Sequence, residues 1–100
     1  MAGGPDIATF TPLVGEEFSV GLEAGGGDPV LRLLEVSPLP SWPGAPRANP
    51  FSLVFAGRRG IALAQGIYSV SHPGLGSLDL CLVPIAPDAT GDPLYESVFN

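Results

Sequence analysis

Gly66-Ile67-Tyr68-Ser69-Val70-Ser71-His72-Pro73-Gly74-Leu75-Gly76-Ser77-Leu78-Asp79-Leu80-Cys81-Leu82-Val83-Pro84-Ile85 decides the fold, because it reads as two β-strands folded back on each other. In its second half Leu78, Leu80 and Leu82 alternate with Asp79 and Cys81, and a period of two puts the three leucines on one face. In its first half Tyr68 and Val70 alternate with Ser69 and Ser71. Between them, Pro73 supplies a fixed φ and Gly74 and Gly76 supply the freedom that a chain reversal needs. A hairpin of this kind exposes one apolar face, and the rest of the chain has to cover it.

The flanking sequence offers the strands to do so. Phe18, Val20 and Leu22 alternate with Ser19 and Gly21, which predicts a half-buried strand over 16–22. The glycine-rich turn 24–29 leads to a second strand over 30–39, in which the alternation breaks. Leu31 and Leu33 share one face, Leu34 and Val36 the other, so either both faces are covered or one extra residue near Leu33 and Leu34 switches the phase as a β-bulge does. The bulge is preferred, because it leaves Arg32 and Glu35 both pointing outward.

Residues 38–50, PLPSWPGAPRANP, hold five prolines and are expected to form an extended surface loop, since proline has no N–H for a sheet ladder. Phe51, Leu53 and Phe55 then mark the most deeply buried strand, Gly57-Arg58-Arg59-Gly60 a charged turn, and residues 94–99 a closing strand with Tyr95 and Phe99 inward and Glu96 outward. Near the start, residues 1–6 read as a loose tail. Asp6 caps a short helical turn over 7–10 that Pro12 ends and Gly15 redirects. About six short strands joined by Gly/Pro turns predict an all-β single domain over 1–100, a small antiparallel β-barrel or two-sheet roll with a short N-terminal helical turn.

Composition narrows the class of function. The chain has 100 residues, 45% of them hydrophobic and 14% charged, enough for one core. The net charge is −6 and all four basic residues are arginines, so no cationic surface is offered to nucleic acid or to anionic lipid headgroups. The N-terminal residues lack the basic and apolar regions of a signal peptide, and no apolar run is long enough for a membrane span, so the expectation is cytoplasmic, with export only as part of an assembly. One cysteine forms no intrachain disulfide.

No stretch carries a recognisable chemistry, and no catalytic residue, cofactor or metal is assigned. His72 lies in a turn beside Ser71, and consecutive strand residues face opposite ways, so the pair makes no relay. A hydrolase using His72 would need a nucleophile and a carboxylate brought to the ring by the fold. Cys81 has no base near it in sequence and reads as a small buried or interface hydrophobe. Asp88 and Asp92 flank a glycine turn without EF-hand spacing, and Gly25-Gly26-Gly27 and Gly74-Leu75-Gly76 lack the lysine and helix of a phosphate loop. Glu16 and Glu17 alternate faces and do not jointly flank a bond.

Phe10-Thr11-Pro12-Leu13-Val14-Gly15 with Phe18, Asn49-Pro50-Phe51-Ser52-Leu53-Val54-Phe55, Gln65-Gly66-Ile67-Tyr68, His72-Pro73 and Tyr95-Glu96-Ser97-Val98-Phe99-Asn100 together resemble an uncharacterised family of small bacterial all-β domains. The resemblance covers nearly the whole chain. It implies no activity, and an association with phage-tail-like or collagen-like fibre proteins implies a structural or assembly role. The leading expectation is therefore a non-catalytic structural or interaction module, a homo-oligomer or a partner of another protein. Its contact residues are Trp42 in the proline loop, Arg58 and Arg59 at the charged turn, and the outward apolar residues Val54, Val83 and Ile85. The alternative expectation is a β-barrel that binds a small ligand or glycan with the Trp42 loop.

Overall fold

The computed structural model describes residues 6–21, 30–40, 43–44, 50–58, 63–87, 89 and 91–99. Six strands form in chain order: β1 (Glu17–Gly21), β2 (Val30–Pro38), β3 (Phe51–Ala56), β4 (Gly66–His72), β5 (Gly76–Ile85) and β6 (Leu94–Phe99). They close into a barrel in the order β1-β2-β3-β6-β5-β4, with every neighbouring pair antiparallel. Two three-stranded meanders, β1-β2-β3 and β4-β5-β6, thus meet along two seams, β3 against β6 and β1 against β4. Closure is the solution that leaves no exposed sheet edge.

The hairpin read from 66–85 forms as β4 and β5, from Gly66 opposite Leu82 to His72 opposite Gly76. The turn closes with Leu75 N–H donating to the His72 carbonyl at 3.0 Å, and Gly76 takes the positive φ of +89° that the reversal demands. Along β5, Leu80 and Leu82 are buried while Asp79 and Cys81 are exposed. In β2 the register against β3 shifts between Leu33 and Glu35, so Leu34 is the extra residue. Leu31 and Leu33 are buried before it, Val36 packs against the core after it, and Arg32, Leu34 and Glu35 are exposed. One inserted residue therefore keeps the inward face apolar along a strand whose plain alternation would have turned Val36 to solvent.

Phe51, Leu53 and Phe55 of β3 are completely buried, as is the opposing ring of Phe18 from β1, whose centroid lies 5.5 Å from that of Phe55 in an edge-to-face arrangement. A helical turn, α1 (Ile7–Phe10), precedes β1 and continues into a single 3₁₀ turn over Thr11–Leu13. Its start is a reciprocal cap: the Asp6 carboxylate accepts from Thr9 N–H at 3.1 Å, and the Thr9 hydroxyl accepts from Asp6 N–H at 3.2 Å. The cap sets Phe10 fully inside, where its ring meets Phe51 at 5.9 Å and Phe99 at 5.5 Å, while Phe51 and Phe99 stack at 4.5 Å. Three rings from the helical turn, β3 and β6 pack together in this way.

The approach to β4 is held by both tyrosines of the chain. Tyr95, buried on β6, accepts the Leu63 N–H at 2.8 Å, and Tyr68 donates its hydroxyl to the Ala64 carbonyl at 2.6 Å. Replacing Tyr95 with Phe strands the buried Leu63 amide, and equilibrium urea unfolding is expected to lose about 1–3 kcal/mol with an unchanged denaturant slope. Cys81→Ser, on the exposed face, is expected to stay within about 0.5 kcal/mol of the wild type in the same measurement.

Candidate functional site

The inward side chains of the six strands occupy the interior of the barrel with Phe, Leu, Val and Tyr. A glycan bound inside the barrel would have to displace that core, so the alternative ligand-binding expectation is left with the loop of Trp42, which lies outside the described residues.

His72 sits at the end of β4 with its ring largely buried, 5.0 Å from the Phe18 ring. Its Nδ1 accepts the Gly74 N–H at 3.0 Å, which places the ring proton on Nε2, and Nε2 donates to Glu16 Oε1 at 2.6 Å. A carboxylate does reach the histidine, as a hydrolase requires. The second nitrogen, however, is engaged by a backbone amide and not by a nucleophile, so the ring has no lone pair left to accept a proton from a serine. What the arrangement does is tie the residue before β1 to the end of β4, across the seam where β1 and β4 meet. The neighbouring Glu17 faces the other way, 3.9 Å from the exposed guanidinium of Arg32.

Of the other polar motifs, Asp88 and Gly25-Gly26-Gly27 lie outside the described residues, and Gly74-Leu75-Gly76 forms the hairpin turn. Among the described residues no cluster of three or more His, Cys, Asp and Glu is placed to hold a metal ion. No described helix is long and apolar enough to cross a membrane. Cys81 lies on the face opposite the leucines, as the alternation predicts, and is exposed, which removes the buried half of the buried-or-interface reading.

What remains is the outside of the barrel over β3, β6, β5 and β4. Register places Glu96 between Val54 on one side and Val83 on the other, and Leu94 between Ala56 and Ile85. All of these except Ile85 are half-buried; Ile85 is 40% exposed. Val98, one pleat further along β6, is 45% exposed, and Ile67, opposite Cys81 on β4, is 74% exposed. Val54, Val83 and Ile85, singled out from the sequence, are thus brought onto one continuous face. Ile67 and Val98 belong with them and were missed, although each is the apolar member at an outward position of an alternating strand. Arg58 is exposed just beyond β3, while Arg59, like Trp42, lies outside the described residues.

Fold and surface together define a closed six-stranded antiparallel barrel with a filled interior and an apolar outer face. The model of the family described as a domain of unknown function, DUF6916, matches residues 5–99, and the chain belongs to that family. No curated protein and no solved structure matches the chain.

The two structural elements respond differently to substitution. His72→Ala removes two hydrogen bonds and a ring packed on Phe18, and is expected to lower unfolding free energy by about 1–3 kcal/mol. Ile67→Thr keeps β-branching at an exposed position and is expected to change it by less than about 0.5 kcal/mol. Denaturant titration of the two variants beside the wild type checks both.

Proposed function

We propose that the domain is a non-catalytic structural or interaction module that self-associates or docks into a larger assembly through the outer face of β3, β6, β5 and β4. The supporting observation is the run of exposed apolar side chains Ile67, Val98 and Ile85 beside half-buried Val54, Val83 and Leu94. Isolated exposed hydrophobes are ordinary on a protein surface, but a contiguous set is characteristic of contact surfaces. The position of His72 adds to this reading, since its ring is spent on holding β1 to β4. The rigid, closed frame also suits a docking role, because a preformed face loses little conformational freedom when it is covered.

Cys81 is the chain's sole cysteine and lies within this face. Attaching a photo-activated crosslinker to its thiol, then irradiating the protein in an extract of its own source organism, is expected to give an adduct of discrete mass. Ile67→Asp combined with Val98→Asp is expected to abolish that adduct while circular dichroism shows an intact fold. A folded double variant that crosslinks as well as the wild type would contradict the proposal, and so would a wild type that gives no discrete adduct.

A further inference from the structure

The outer face has a chemical character beyond being apolar. Its outward positions are Val54 and Ala56 on β3, Leu94, Glu96 and Val98 on β6, Ser77, Asp79, Cys81, Val83 and Ile85 on β5, and Ile67, Ser69 and Ser71 on β4, while Ser52, outward on β3, is buried. Two carboxylates stand among them, and the nearest described cation is the exposed Arg58, two residues beyond Ala56 at the rim. Glu96 is the more telling of the two: half-buried, it lies laterally between Val54 and Val83, and no ion pair or hydrogen bond joins its side chain to another described residue. A carboxylate half withdrawn from water between two valines thus has, among the described residues, no partner of the kind that normally accompanies such withdrawal.

We infer that this face docks a different protein surface, one that presents an arginine or lysine framed by apolar side chains, with the cation seated on Glu96 and Asp79 drawing it in from the rim. The inference rests on the proposed docking role and specifies the partner. Charge complementarity selects this occupant over a second copy of the chain. A two-fold apposition centred on the face brings the two Glu96 carboxylates together, and like charges desolvated at an interface oppose association. The chain has few cations to offset them, with four Arg against ten Asp and Glu. A basic partner reverses the sign of each of these terms, covers the valines, and offers Glu96 a cation.

Two short blocked peptides serve as probes, one alternating valine with arginine and the other valine with glutamate, titrated into the isotope-labelled full chain and followed by amide NMR. The arginine peptide is expected to shift the amides around Val54, Val83, Glu96 and Val98, and to weaken as salt is raised. Glu96→Gln is expected to reduce its affinity by about five-fold and Glu96→Arg to abolish it, each with the fold unchanged. Light scattering of the purified chain is expected to give the monomer mass of 10.2 kDa at the same concentrations. Equal binding of the glutamate peptide, an affinity indifferent to Glu96→Gln, or a stable dimer built on this face would overturn the assignment of a basic partner. A dimer would leave the docking role itself standing, whereas a wild-type protein that forms no Cys81 adduct would remove both.

Discussion

A barrel can close only if every strand keeps the same side turned inward all the way round, and this continuity of phase is the constraint on which the structure depends. Five of the six strands keep one inward phase along their length, although in β3 the outward Ser52 is buried as well as Phe51, Leu53 and Phe55. β2 does not, and the register shift at Leu34 is the adjustment that lets Leu31 and Leu33 before it and Val36 after it face the same interior. If Leu34 were paired in plain register instead of bulged, Glu35 would turn into the core opposite Leu53 and Val36 would turn to solvent. The seam between β1 and β4 depends on a second, weaker tie, the His72–Glu16 bond beside the packed rings of His72 and Phe18.

Much of this was legible in the sequence because it is local. The hairpin over 66–85, the cap at Asp6 and the bulge in β2 each follow from residues only a few positions apart, where period, turn chemistry and capping act directly. The choice between a closed barrel and a two-sheet roll was not legible, since it depends on β1 finding β4 and β3 finding β6, pairings between residues about fifty positions apart for Ser19 with Ser71 and forty for Phe55 with Tyr95. The same holds for Tyr95 reaching Leu63 and for Glu16 reaching His72. Each joins residues whose types are compatible with many partners, and only the finished topology selects one.

The outer face was half legible. Val54, Val83 and Ile85 stand out as apolar residues at outward positions, yet the sequence does not say that they are neighbours; the β3–β6 and β6–β5 registers do. Those registers also bring Glu96 into their midst and show Cys81 to be a surface residue. Burying aliphatic surface stabilises by roughly 25 cal/mol per Å², so aliphatic side chains left on the outside represent stabilisation the isolated domain does not collect. In the proposed role that stabilisation is realised on contact, with Glu96 limiting which surfaces are accepted.

The account turns on this face being open in the isolated chain and covered in its working state, and the thiol of Cys81 reports on it directly. Alkylation of Cys81 by a small neutral reagent should be much slower in the native extract than in the purified protein, with denatured samples reacting equally. Equal rates in the extract and in the purified chain would show that nothing covers the face and would contradict the account.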